Sequence, residues 1–299
     1  MPDKNFFARF FLCTCILFGS ACSSSKSNTQ PTAPPQGAPP QAVSPQAVST
    51  PKRQNTISGT VRLAVMLLQA GFSDAALKER PEALVVLAGG PDEPPQGPTG
   101  FEVTDDGGYL VSDPVRRRVA LFDPRGAYRG EWPVGFRVES IEAAGQGTFR
   151  LRPFESGGDR YFDAQGKERA APPSTRGVES LVTKLAGPAL GVLEGRKSGG
   201  PLNITFENAP LRLVSVASLG DAPNGAVYVA LEATPGGDTI TIQKQVRAYA
   251  ADGKLSVEVT DIPLNYDFQP TDELKVRRGV LYQMAPTKAE IRINRWNLN

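Results

Sequence analysis

An aromatic residue followed by a tight turn recurs along this chain at a nearly constant interval. Phe122 lies in FDPRG, Phe162 follows 40 residues later in YFDAQG, Phe206 another 44 later in ITFENAP, and Tyr249 another 43 later in AYAADG. The segment EIRINRW, at Arg292, falls about one further period on. Short β-branched runs broken by Gly, Pro and Asp lie between these points, which is typical of strands joined by tight turns. A period of this length, with four short strands in each, predicts the blades of an all-β propeller.

The stretch GYLVSDPVRRRVALFDPRG, residues 108–126, contains one hairpin of this repeat with three consecutive arginines between its strands. In the predicted register Arg118 precedes the second strand, Val119–Phe122, and can pair with Asp113 across the turn. Arg116 and Arg117 are then left exposed at the hairpin tip. They are either part of a solvated turn or a site for an anion, such as a lipid headgroup phosphate or an acidic partner.

The same stretch resembles the NHL-type propeller repeat. The resemblance rests on Gly108, the apolar strand that ends at Asp113, the short hairpin, Arg118 and the FDPRG turn. Later periods keep the turn but lose the Asp, and Arg160 and Arg247 lie at or near the position of Arg118. The resemblance implies a propeller of the six-bladed type.

The number of blades depends on residues 57–100. The span 57–299 holds nearly six periods, so we expect five or six four-stranded blades, with six favoured. EALVVLAGG, residues 82–90, can supply the outer strand of the last blade and so close the ring, which removes exposed sheet edges. The preceding residues are either the rest of a sixth blade or a strand followed by a short helix capped at Ser73.

Composition excludes several classes of function. The 33 basic and 31 acidic residues nearly balance, which argues against a protein drawn to nucleic acid by its overall charge. The chain has no histidine, so Ser-His-Asp and Cys-His nucleophiles and His-ligated metals are excluded. An enzyme built from this chain has to use carboxylates, Lys, Tyr, Ser or an oxygen-ligated cation.

The N-terminus has the features of an export signal. Lys4 and Arg9 form a basic region, residues 10–18 form an apolar run too short to span a bilayer, and small residues lead to Cys22. This arrangement resembles the lipobox of bacterial lipoproteins, although Gly19 stands where that family usually has an aliphatic residue. The resemblance implies a signal peptide over 1–21 and acylation of Cys22, with palmitate among the lipids. An ordinary signal peptide with a chance cysteine is the alternative.

Two further features bear on the location of the folded part. Cys13 and Cys15, the remaining cysteines, lie inside the segment that would be removed. Ser23, rather than Asp, follows the acylated position, and by resemblance to Gram-negative lipoproteins this favours the outer membrane. Residues 22–56 are rich in Pro, Gln, Ser and Ala and include the direct repeat PQAVSPQAVS, so we expect a disordered tether ahead of a propeller domain over 57–299.

Acidic residues recur near the start of successive blades. Glu102, Glu139 and Glu179 are 37 and 40 residues apart, and Asp272 or Glu273, of which we take Glu273, fills the slot in the last blade. First strands line the channel of a propeller, so these carboxylates can converge there. Converging carboxylates suit calcium, which takes six to eight oxygen ligands. The alternative is that they are charges that solubilise the channel mouth.

Two hypotheses of function follow. The first is an envelope lipoprotein, held in membrane lipid by Cys22, whose propeller is a non-enzymatic scaffold for a protein or glycan partner, with no cofactor. The second is a divalent-cation-dependent hydrolase that uses the channel carboxylates; gluconolactonase-like propellers, which the chain resembles in architecture, hold a metal in such a place.

Overall fold

The computed structural model describes residues 50–69, 71–172, 181–196, 200–206, 210–236 and 241–299. The predicted signal peptide, Cys22, almost all of the predicted tether and Glu179 lie outside the described residues. Within the described residues, no helix has the length and apolar composition that crossing a bilayer requires.

Four elements precede the first blade. They are β1 (Lys52–Gln54), β2 (Gly59–Leu68), the helix α1 (Asp74–Glu79) and β3 (Leu84–Leu87). The side chain of Ser73 caps α1 by accepting a hydrogen bond from the backbone N–H of Ala76 at 3.4 Å. The alternative of a strand followed by a short helix capped at Ser73 is therefore confirmed.

The remaining strands form consecutive antiparallel groups that we number as blades. Blade one comprises β4 (Phe101–Val103), β5 (Tyr109–Asp113), β6 (Arg118–Phe122) and β7 (Tyr128–Pro133); blade two comprises β8 (Val138–Gly145), β9 (Thr148–Pro153), β10 (Arg160–Asp163) and β11 (Glu168–Arg169). Blade three comprises β12 (Val182–Gly187), β13 (Leu190–Glu194) and β14 (Leu202–Thr205); blade four comprises β15 (Arg212–Asp221), β16 (Val227–Thr234), β17 (Gln243–Tyr249) and β18 (Leu255–Val259). Blade five begins with β19 (Leu274–Arg277), β20 (Val280–Pro286) and β21 (Glu290–Asn297).

The predicted repeat is confirmed as a propeller. Phe122, Phe162, Tyr249 and Arg292 all lie on the third strand of their blades, and Phe206 directly follows the third strand of blade three. The aromatic residue marks this position because it ends the strand inside the core and is followed at once by the turn that leads outward.

The described residues form five sheets, which is the smaller of the two predicted blade numbers. The residues that would have supplied a sixth blade extend other sheets instead. β2 pairs antiparallel with β21, β3 pairs parallel with β2, and β1 pairs parallel with β18. The N-terminal segment therefore closes the ring, as expected, but the strand next to β21 is β2 and not the segment 82–90.

Apolar clusters join neighbouring blades. Blades one and two share the cluster around Trp132 and Phe149, blades three and four that around Leu231, blades four and five that around Trp296, and blades five and one that around Phe101. No such cluster among the described residues joins blade two to blade three. On the side of blade two away from blade one, Arg150 forms ion pairs with Glu142 and Asp159.

Candidate functional site

The first strands of the blades meet around a central cavity of about 530 Å³. Its lining comes from β4, β8, β15 and β19 and from Leu181, which directly precedes β12, so all five blades contribute. The charged lining residues are Glu102, Glu142, Asp221, Asp272, Lys275 and Arg277. We call this the central cavity.

Glu102 on β4 links three blades inside the central cavity. Its carboxylate accepts hydrogen bonds from the backbone N–H of Val103 at 2.9 Å and of Ala143, on blade two, at 3.0 Å. Two cations of blade five lie beside it, with the Arg277 Nε at 3.8 Å and the Lys275 Nζ at 4.0 Å. The buried carboxylate is thus compensated from both neighbouring blades, as a buried charge requires.

Lys275 connects blade five to blade two. Its Nζ donates to the backbone carbonyl of Ile141 at 3.0 Å and lies 2.5 Å from the Oδ2 of Asp272. Burial raises the pKa of Asp272 to about 6, although Lys275 opposes the shift. The central cavity therefore holds one carboxyl group that changes its charge close to neutral pH.

The three predicted metal ligands that the structure describes are not brought together. Glu102 lines the central cavity, Glu139 is half-buried on β8 outside its lining, and Glu179 lies outside the described residues. Within the described ranges, no group of three or more Cys, Asp or Glu side chains is placed to hold a metal ion. The ladder between β8 and β9 shifts between Val138 and Ser140, and in the resulting register Glu142 rather than Glu139 lines the cavity.

Glu273 belongs to a buried polar chain that crosses blade five. Its carboxylate forms an ion pair with Lys244 of blade four and accepts a hydrogen bond from the Gln283 Nε2 at 2.7 Å. Gln283 in turn accepts from the Asn294 Nδ2 at 3.2 Å, and Asn294 accepts from the hydroxyl of Thr60 on β2 at 3.0 Å. Glu273 is thus connected through hydrogen bonds to β2, the strand that closes the ring. Its neighbour Asp272 lines the central cavity instead.

The three consecutive arginines have different environments. The predicted pair is present, since the Arg118 Nε donates to the Asp113 Oδ2 at 3.0 Å and both side chains are buried. Burial raises the pKa of Asp113, and Arg118 opposes the shift. Arg118 also donates to the backbone carbonyls of Pro81 and Ala83.

The expected exposure of Arg116 is wrong. Only 7% of its side chain is exposed, because its guanidinium donates to the carbonyls of Leu77 and Arg80 at 2.6 and 3.0 Å and also to that of Ala83. These carbonyls end α1 or follow it, so Arg116 caps the C-terminus of that helix. Arg117 alone is exposed as predicted.

The sequence reasoning missed the cations of the central cavity. Lys275 and Arg277 are two residues apart on β19, so their side chains lie on the same face of the strand. The sequence signal for these cations was the segment DELKVRR, residues 272–278, in which Lys275 and Arg277 alternate with apolar residues directly after the acidic pair. This arrangement indicates ion pairing inside the cavity.

No protein-family model matches the chain, and no curated protein matches its sequence. Among solved structures, the chain is similar to a streptogramin B lyase, with 10% identity and a TM-score of 0.31 over 71% of this chain and 85% of that one. It is also similar to virginiamycin B lyase from Staphylococcus aureus, with 11% identity and a TM-score of 0.30 over 68% and 85% of the two chains. A member of the DUF4221 family from Bacteroides vulgatus matches with 11% identity and a TM-score of 0.27 over 64% and 76%.

Proposed function

We propose that the chain is a membrane-anchored envelope lipoprotein whose propeller is a non-enzymatic scaffold that binds a protein or glycan partner. The central cavity supports this proposal most strongly. Its charged groups contact one another and backbone groups of blades one and two, as the contacts of Glu102 and Lys275 illustrate. Polar groups that are already ordered lose little freedom when a partner binds, which favours recognition. Loops on a rigid scaffold supply the rest of such a surface.

Site-specific crosslinking in intact cells tests this proposal. A photoreactive amino acid at position 277 lies in the central cavity, and one at position 125 lies on the exposed turn between β6 and β7. We expect a discrete crosslinked product from position 277 that is absent from position 125. No product at position 277, or the same products at both positions, would contradict a partner site in the cavity.

The proposed location depends on the acylation of Cys22. The apolar run before it and the polar Ser23 after it support an anchor in the outer membrane. We expect Cys22→Ala to release the protein from the envelope fraction, whereas Cys15→Ala, inside the predicted signal peptide, keeps it there. Retention of the Cys22→Ala variant in the envelope would contradict the anchor.

A cation-dependent hydrolase is the second candidate. The observation that favours it is the pKa of about 6 for Asp272, because a carboxyl group that exchanges its proton near neutral pH suits acid–base catalysis. The carboxylates of Glu102 and Asp272, which line the central cavity, would supply the cation ligands and the acid–base group of such an enzyme. Calcium content separates this candidate from the scaffold.

A further inference from the structure

A second cavity lies between blades one and two, away from the central cavity. It has a volume of about 500 Å³, within the range of sites for small ligands. The turn between β5 and β6 contributes Arg117, the start of blade two contributes Phe136, and the loop between β9 and β10 contributes Ser156, Gly157 and Gly158, with Arg160 at its end. We call this the rim pocket.

Arg117 is held with its guanidinium free. Its backbone lies in the left-handed region with a φ of 52°, a conformation that disfavours side chains with a Cβ atom. Its carbonyl accepts hydrogen bonds from the backbone N–H groups of Val134 and Gly135 at 3.2 and 3.1 Å, which maintain this conformation. Unlike Arg116 and Arg118, the Arg117 side chain makes no hydrogen bond or ion pair with any described residue. Backbone strain of this kind is found at functional sites more often than elsewhere.

Arg160 and the loop between β9 and β10 form another part of the lining of the rim pocket. The guanidinium of Arg160 forms an ion pair with Glu168 and lies over the ring of Phe136 at 4.6 Å from its centroid. A Cβ atom built on Gly158 would meet no atom within 4 Å, so this part of the loop leaves open space. The backbone N–H groups of residues 156–158 donate no hydrogen bond within the described part of the chain.

The charges around the rim pocket favour an anion. Among the charged residues that line it, Arg117 and Arg160 outnumber Glu155, and the neighbouring Asp159 is paired with Arg150. A free guanidinium presents a planar fork of donors that matches the oxygens of a phosphate or sulfate group.

We propose that the rim pocket binds an oxyanion, a phosphate or sulfate group carried by a small soluble ligand or by a lipid headgroup, with Arg117 as its principal contact. Arg117 lines this pocket, and its left-handed backbone is one that glycine adopts more readily. This inference is independent of the partner proposed for the central cavity.

Calorimetry with inorganic pyrophosphate and co-sedimentation with phosphatidylglycerol vesicles test the site. Both use the full chain with Cys22→Ala, so that an acyl group does not dominate vesicle binding. Arg117→Gly removes the guanidinium and suits the left-handed backbone, so its melting temperature should equal or exceed that of the parent. We expect it to weaken binding at least about tenfold. Arg125→Ala, which removes an exposed arginine at the other end of β6, should bind like the parent.

The two ligands distinguish the source of the oxyanion. Binding of pyrophosphate that depends on Arg117 indicates a soluble ligand, and binding of vesicles alone that depends on Arg117 indicates a headgroup; either supports the site. Absence of binding to both, or equal binding by the parent and by a folded Arg117→Gly variant, would overturn it.

Discussion

Arg118, Arg160 and Arg247 all lie on the third strands of their blades, and each pairs with a glutamate on the fourth strand. The partners are Glu131, Glu168 and Glu258. Arg118 lies four residues before the aromatic residue of the repeat, whereas Arg160 and Arg247 lie two residues before it. The depth of the arginine differs, since 4% of the Arg118 side chain is exposed, against 39% for Arg160. Blade one is covered by the segment that connects α1 to β3, and the carbonyls of Pro81 and Ala83 in that segment complete the hydrogen bonds of Arg118.

This difference in depth predicts different costs for the same substitution. Arg118→Ala leaves the buried carboxylate of Asp113 with the Arg116 Nη1, at 3.8 Å, as its remaining cation, and should lower the free energy of unfolding by about 3–5 kcal/mol. Arg160→Ala, on the third strand of blade two, should cost much less because water solvates Glu168. Urea denaturation of both variants checks the prediction. Similar losses for the two would show that burial does not set the strength of this pair.

Asp272 predicts a pH dependence of stability. Its folded pKa of about 6 lies above the usual 3.8, so the folded protein binds this proton more tightly than the unfolded chain does. The resulting stabilisation is complete below about pH 3.8 and is lost as the pH rises through about 6. Asp272→Asn stays neutral and should therefore gain stability relative to the parent between about pH 4 and pH 7, by roughly 3 kcal/mol at most.

Asp252→Asn is the control for that measurement. Asp252 is exposed, and a hydrogen bond from the backbone N–H of Lys254 lowers its pKa, so its contribution changes with pH in the opposite direction. Urea denaturation of both variants and the parent at about pH 4 and about pH 7 gives the comparison. A stability difference between Asp272→Asn and the parent that stays constant with pH would contradict the raised pKa.

At the scale of elements, the glycine of the turn after the third strand packs on the preceding blade. A Cβ atom on Gly126 would lie 2.7 Å from the Val61 Cγ1 of β2, and one on Gly166 would lie 2.2 Å from the Trp132 Cδ1 of β7. Both glycines have positive φ values. The turn of the repeat is therefore also a contact between blades, and β2 fills the place for blade one that β7 fills for blade two.

The closing strand should contribute strongly to stability because it completes the cluster between blades five and one. Leu63 on β2 is 1% exposed in that cluster, whereas Leu67 on the same strand is 44% exposed. Leu63→Ala should lower the free energy of unfolding by about 2–5 kcal/mol. Leu67→Ala should cost less than about 1 kcal/mol. Chemical denaturation distinguishes them, and a Leu63→Ala variant as stable as Leu67→Ala would exclude β2 as a structural closure.

The sequence predicts third strands and turns well because both are local. An aromatic residue, an Asp and a Gly within five positions specify where β6 ends, and the same holds for β10. The partners of β2 and β3 were harder to assign because pairing between the chain ends has no local signal. β2 alternates buried and exposed residues as a strand with one packed face does, which identifies it as the better partner for β21 only in hindsight.

At the scale of the whole molecule, the position of the central cavity was predictable from the sequence. The set of side chains that lines it was not. The period located Glu102 on a first strand correctly, but bulges and ion pairs decide which neighbouring side chains point inward. Glu142 replaces Glu139, and Asp272 replaces Glu273, each by a shift of a few residues. Arg116 was predicted as exposed because α1, which covers it, precedes the repeat in sequence and contacts it only in the fold.

The central cavity is either a recognition surface or a cation site, and the calcium content of the purified protein distinguishes the two most directly. With Glu102 held by Lys275, Arg277 and two backbone N–H groups, we predict far less than one calcium per chain. The melting temperature should then be the same with and without a chelator. About one calcium per chain in the parent, lost in Glu142→Ala in the central cavity but kept in Glu155→Ala in the rim pocket, would contradict the scaffold and establish the metal centre.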